Sequence, residues 1–195
     1  MPGEVWRAAR NPAIGRPARA SADERPAGGR DIETRTPVPG AAITVRCATP
    51  ADLQPVLGLE QRAFGGDRLS RRSLRRLLAH GRNIVLVAVA SGKIVGYALV
   101  LLRRGSGVAR LYSMARDPAA AATFRGVGRR LLAAAEEAAR AAGAAEMRLE
   151  VRPDNAAARR LYQASGYVVF ARTADYYEDH ADALRMRKSL EGTAL

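Results

Sequence analysis

The chain is poor in several residue types, and each scarcity removes a class of protein. One cysteine in 195 residues excludes an internal disulfide framework. With two histidines beside it, too few ligands remain for a structural zinc site, so no metal is expected. Apolar runs are also short: residues 84–90 and 94–102 are strand-sized and fall far below a membrane span. No apolar stretch follows the early basic residues, so the sequence reads without a signal peptide, and the expected compartment is the cytoplasm. Lysine is nearly missing: Lys93 and Lys188 stand alone, and 30 of the 32 basic residues are Arg.

What is present is a globular composition, 48% hydrophobic and 26% charged, in a length that suits one domain with an appendage. The formal charge of +13 has two readings, an arginine-biased composition or a polyanionic partner such as RNA, a ribosome surface or a phosphate-bearing cofactor. Residues 1–41 contribute seven Arg against five acids, so +11 belongs to the remainder. Those first 41 residues hold six prolines and Gly28-Gly29 without sustained periodicity, and read as a flexible Arg/Pro/Ala-rich extension. Residues 42–190 read as the folded domain and 191–195 as a tail.

Within the domain, residues 43–47 alternate as a strand, and Thr49-Pro50-Ala51-Asp52 opens a helix that Gly65-Gly66 should end. A second helix starts near Ser70, with Leu74, Leu77 and Leu78 on one side and Arg71, Arg72, Arg75 and Arg76 on the other. Ser91-Gly92 joins two apolar runs into a hairpin, and residues 108–116 form the next strand. After Gly126-Val-Gly128 comes a helix to about Ala142, with Glu136 and Arg140 at i, i+4 and Gly143 as its stop. A strand over 146–152, a helix from an Asn155 cap to Ser165, and strands over 167–172 and 183–188 complete the chain. The order is β-α-α-β-β-β-α-β-α-β-β, an α/β fold in which a mixed sheet carries helices on both faces.

Two constellations carry chemistry. A strand, the turn Phe124-Arg125-Gly126-Val127-Gly128-Arg129-Arg130 and a helix form a phosphate-binding geometry, because glycines let backbone amides and a helix N-terminus close on an anion. The turn lacks a Walker lysine and the full G-x-G-x-x-G, which disfavours a nucleoside triphosphate or a dinucleotide. In residues 146–152, Met147, Leu149 and Val151 share one face, leaving Glu150 on the other, partly buried and either paired with Arg or raised in pKa. Asn155, Arg159 and Tyr162 recur at i, i+4 and i+7 on one face of the next helix.

The motifs Leu111-Tyr-Ser-Met-Ala-Arg-Asp-Pro118, Arg125-Gly-Val-Gly-Arg-Arg-Leu-Leu132, Leu149-Glu-Val-Arg-Pro-Asp-Asn-Ala-Ala-Ala158 and Leu161-Tyr-Gln-Ala-Ser-Gly-Tyr167, in this order, resemble the GNAT superfamily of N-acetyltransferases. The stretch Tyr176-Tyr-Glu-Asp-His-Ala-Asp-Ala-Leu-Arg-Met186 narrows the resemblance toward ribosomal-protein alanine acetyltransferases. It implies a mostly antiparallel sheet flanked by helices and acetyl-CoA as cosubstrate. The pyrophosphate would be held by the turn of Phe124, Arg125, Gly126, Val127, Gly128 and Arg129, and the pantetheine arm would run along Met114, Ala115 and Arg116. By motif position the resemblance implies Glu150 as general base, Tyr162 as general acid and Asn155 as a cofactor contact, with Phe64, Tyr176 and Tyr177 at the acceptor. Thr123, Phe124 and Arg116 depart from the family's usual residues at their positions. A protein N-terminal α-amine is the implied acceptor, with a ribosomal protein as the substrate the narrower resemblance implies. A small amine or polyamine is the alternative, and a non-catalytic ribosome- or RNA-binding module is a distant one.

Overall fold

In the computed structural model, the structure describes residues 42–64, 68–79 and 81–191, together with the backbone of residues 5–7. The remainder of the expected 1–41 extension, the Gly65-Gly66 helix stop and residues 192–195 lie outside the described residues.

Strand β1 is Val5–Arg7, and β2 is Thr44–Cys47. Helices α1, Leu53–Ala63, and α2, Arg71–Ala79, precede the strands β3, Asn83–Ala90, β4, Lys93–Leu102, and β5, Val108–Arg116. Helix α3, Val127–Ala141, leads to β6, Glu146–Val151, and α4, Ala156–Ala164, leads to β7, Val168–Thr173, and β8, Ala183–Ser189. Beyond the expected order, Thr49 leads first into a 3-10 turn, Pro50–Asp52, where Asp52 Oδ2 accepts from the Thr49 amide at 2.7 Å. Asp52 has a second tie that the sequence concealed, a two-pronged pair with Arg46 at 2.7 and 2.8 Å.

Seven strands form one path, β2-β3-β4-β5-β6-β8-β7, and β1 pairs on the side with β5. Among the described residues only β5 and β6 run parallel; the other pairings are antiparallel. The β3–β4 hairpin turns on Ser91 and Gly92, both at positive φ (47° and 73°), which matches the twist of the flanking strands.

A two-faced sheet needs cover on both sides, and the apolar pattern supplies it. Helices α3 and α4 pack on one face through Val127, Leu131, Leu132, Ala135, Ala158 and Tyr162. On the other face, Val56, Leu59 and Leu74 of α1 and α2 meet Val87, Tyr97 and Leu99. The Glu136–Arg140 pair expected along α3 does not form. Arg140 turns to Glu137 and the Leu190 carbonyl, while buried Glu136 accepts from Lys188 of β8 at 2.5 Å. Burial decides this, because Glu136 lies on the buried side of α3, where Lys188 of β8 reaches it.

Gly96 on β4 sets how closely α3 approaches. A Cβ there would lie 2.8 Å from Val127 Cγ1, 2.9 Å from the Ala115 carbonyl oxygen and 3.0 Å from Leu131 Cδ1. Gly96→Ala is therefore expected to cost about 1–3 kcal/mol by overpacking, because a backbone oxygen is among the clashing atoms. Thermal denaturation checks this, and an unchanged melting temperature would contradict it.

Candidate active site

Strands β5 and β6 pair only from Val108–Glu146 to Arg110–Arg148 and then part. A bulge in β5 accompanies the split: Leu99 faces Ser113 and Val100 faces Leu111, so Tyr112 has no partner of its own on β4. Tyr112 packs in the α1–α2 core, and Ser113 turns the same way, its Oγ 2.6 Å from Tyr97 Oη. Tyr97 in turn donates to Glu60, whose other oxygen accepts from the Leu69 amide at 3.4 Å. Glu60, Tyr97 and Ser113 are all fully buried, so this network ties α1 and the start of the 68–70 segment to the bulged strand.

Glu150 stands on β6 just past the split, 8% exposed, on the face opposite Leu149 and Val151. Of the two fates open to it, pairing is the one observed: Glu150 Oε2 accepts from Arg110 Nε at 2.9 Å. The same guanidinium donates through Nη2 to Tyr176 Oη at 2.6 Å. Tyr176 meets Tyr177 edge to face at 5.4 Å, and Arg152 lies 4.9 Å over the Tyr177 ring. Glu150, Tyr176 and Tyr177 are thus gathered at one mouth. Burial, reinforced by the nearby Glu150 charge, pushes the Tyr176 hydroxyl up to about 12.

Tyr162 approaches from the α4 side, 2% exposed and edge to face with Tyr167 at 5.7 Å. Burial, with a smaller contribution from Tyr177, raises its hydroxyl well above the ordinary tyrosine range, so it stays protonated at neutral pH. Asn155 caps α4, its Oδ1 accepting from the Ala158 amide at 3.0 Å.

The glycine turn ends in Gly126 at φ +80°, and the first helical bond of α3 runs from the Arg130 amide to the Gly126 carbonyl at 3.0 Å. The amides of Val127, Gly128 and Arg129 therefore stand at the open end of the helix. Arg125, Arg129 and Arg130 are exposed there and have no acidic partner among the described residues. A pyrophosphate fits this donor set of amides and uncompensated cations. Phe124 and Val127 are buried in the core, so at this turn they offer backbone rather than side chain. Among the described residues, no group of three or more His, Cys, Asp or Glu could hold a metal ion, and no helix is long and apolar enough to cross a membrane.

The Acetyltransferase (GNAT) family model matches residues 53–167, which include the bulged strand, the glycine turn, Glu150 and Tyr162. The chain belongs to this GNAT family. It is 35% identical over 150 residues to the N-alpha-acetyltransferase RimI of Mycobacterium tuberculosis, covering 75% of this chain and 92% of that protein. It is 34% identical over 161 residues to an uncharacterized Mycobacterium leprae protein, of whose length it spans 41%. Among solved structures, the ribosomal-protein-S18-alanine N-acetyltransferase of Escherichia coli superposes with a TM-score of 0.68 at 27% identity, covering 79% of this chain and 99% of that one. The protein is therefore an acetyltransferase, and GNAT acetyltransferases use acetyl-CoA.

In this GNAT chain, Met114 and Ala115 lie buried on β5 beyond the point where β6 leaves it. The Ser113–Ala115 segment is paired with β1, in the register Val5–Ala115, Trp6–Met114 and Arg7–Ser113. Thus part of the expected extension, residues 5–7, adds a backbone strand to the sheet. Phe64 is 7% exposed and packs in the α1–α2 core.

Sequence reasoning missed Arg110 and the Glu60 network. Glu60 left a signal, since it shares the i, i+3, i+4, i+7 stripe of Val56, Leu59 and Ala63. Arg110 left none, because its partner lies 40 residues away on another strand.

Proposed function

We propose that this GNAT acetyltransferase moves the acetyl group of acetyl-CoA to the α-amine of a protein or peptide N-terminus, with a ribosomal protein as the acceptor class. The observation that carries the reading is the buried carboxylate of Glu150 at the mouth of the β5–β6 split, beside Tyr176 and Tyr177 and with protonated Tyr162 on the α4 side. The names of the Mycobacterium tuberculosis and Escherichia coli relatives support the same acceptor chemistry.

Acetyl-CoA supplies the activated thioester. Glu150 takes a proton, directly or through water, from an acceptor that is mostly ammonium at neutral pH. Tyr162 gives a proton to the departing thiolate. Arg125, Gly126, Val127, Gly128 and Arg129 hold the pyrophosphate, assisted by Phe124 backbone, while Asn155 contributes a cofactor contact beside its capping bond. Met114, Ala115 and Arg116 offer their strand edge to the pantetheine arm, and an amide near the bulge stabilises the oxyanion. Phe64, Tyr176 and Tyr177 line the acceptor side. A polyamine acceptor is less well served, because Asp179 is held by Arg152 at 2.9 Å and Asp182 by Arg172 at 2.6 Å.

The strand edge assigned to pantetheine is the one that β1 occupies, so the two compete. Cosubstrate affinity is then reduced by the fraction of molecules with β1 docked. A chain starting at residue 42 is expected to bind acetyl-CoA about three- to tenfold tighter than the full chain, worth ~0.7–1.4 kcal/mol. Calorimetric titration of both chains decides this, and equal affinities would remove the competition.

The reading as a whole is tested by acetyl transfer from labelled acetyl-CoA to N-terminal peptides, spermidine and small amines. Labelled peptide α-amines are the expected result. Transfer to small amines alone would overturn the acceptor, and absence of heat and thermal shift with acetyl-CoA would overturn cosubstrate use.

A further inference from the structure

We propose that Arg110 is a positioning residue of the acceptor site: its guanidinium holds the Glu150 carboxylate and the Tyr176 hydroxyl in one frame, and its charge favours the acceptor as free amine. The inference rests on the proposed role of Glu150 as base.

Arg110 is the last residue of β5 that pairs with β6, so its side chain leaves the sheet at the apex of the split. From there one planar group makes two bonds of fixed relative direction, Nε to Glu150 Oε2 at 2.9 Å and Nη2 to Tyr176 Oη at 2.6 Å. Its carbon also lies 5.6 Å from the centroid of the Tyr112 ring, the bulge residue. The guanidinium therefore links the catalytic strand, the bulge and the β7–β8 loop, and the ion pair at its centre is largely buried, with side-chain exposures of 23% for Arg110 and 9% for Glu150. A lysine could place a charge here but could not donate from two points of a rigid plane.

The charge has a separate consequence. An amine brought to Glu150 comes close to a fixed cation, and a like charge in a partly desolvated site disfavours its ammonium form. The α-amine must lose that proton before it can attack the thioester, so Arg110 favours the reactive form while Glu150 receives the proton. Other charged and titratable groups around this mouth include Tyr112 of β5, Arg185 opposite Glu150 on β8, Tyr176 and Tyr177, both raised by burial and so neutral, and Arg152, which pairs with Asp154 and Asp179.

The test is steady-state kinetics of the full chain on an alanine-terminated peptide at saturating acetyl-CoA, from about pH 6 to about pH 9. Arg110→Gln is expected to lower kcat about tenfold below about pH 8 and to recover above it, where the free α-amine is already neutral. Arg110→Lys keeps the wild-type pH profile but raises the peptide KM several-fold, and Tyr176→Phe reproduces that KM increase. A uniform loss at every pH in Arg110→Gln, or Lys and Gln variants that behave alike, would overturn the proposal. So would a Tyr176→Phe enzyme with unchanged KM, a result that needs no Arg110 variant to fold. A wild-type chain that acetylates peptides while Glu150→Gln is unimpaired refutes the base assignment and the Arg110 role with it. A wild-type chain that acetylates no peptide refutes the broader function instead.

Discussion

Glu150→Gln is expected to lower kcat/KM for a peptide N-terminus by about 10²- to 10⁴-fold near neutral pH, the span a positioned general base contributes. The substitution preserves shape and one acceptor oxygen, so Arg110 can still donate to the amide oxygen where it now meets Glu150 Oε2 at 2.9 Å. The melting temperature should therefore move little while the rate collapses. The defect has a predicted pH signature. An α-amine has an ordinary pKa of about 7.7–8.0, so below that range it arrives protonated and needs the base. Above it the acceptor is already neutral, and the variant should regain activity with rising pH while the wild type has levelled off. Rates measured from about pH 6 to about pH 9 check this, and full activity at the low end would remove Glu150 from the reaction.

Tyr162→Phe should cost about 10²-fold or more in kcat while leaving acetyl-CoA affinity within about twofold. Phenylalanine retains the ring that packs edge to face on Tyr167 at 5.7 Å, so the loss isolates the hydroxyl. Because burial raises the Tyr162 hydroxyl above its ordinary value of about 10, the acid form persists throughout the working range. Wild-type kcat should consequently show no alkaline decline from this group below about pH 10, and the deficit of the Phe variant should be the same at every pH there. A solvent-exposed tyrosine would instead begin to lose its proton at the top of that range. Calorimetry and pH-dependent kinetics on one preparation separate the two parameters, and a variant with wild-type kcat would refute the acid role.

The elements themselves were legible because their signals are local. The Ser91-Gly92 turn, the Asn155 cap and the glycines at 143 and 166 lie where the sequence placed them, the two glycines at φ of +85° and +90°. Alternation over 146–152 also gave the correct split, with Met147, Leu149 and Val151 in the core and Glu150 on the other face. The Glu136–Arg140 expectation failed for the complementary reason. Spacing along a helix identifies which charges can meet, but burial of Glu136 beneath β8 gave it to Lys188, 52 residues away.

The candidate site divides along the same line. Motif order named Glu150, Tyr162 and the glycine turn, yet nothing in the order of residues announces Arg110, Tyr176 and Glu150 as one bonded cluster. Nor could it show that Gly96 must stay bare, since the atoms it would strike belong to β5 and α3. From its own sequence the protein's strands, helices, caps and two-faced burial pattern follow, because each depends on neighbours within a turn or a pleat. The tertiary structure alone decided where β5 and β6 separate, which cation faces each buried carboxylate, and that β1 lies on the edge of β5 beyond that split. Those outcomes depend on how distant segments compete for the same space and the same partners.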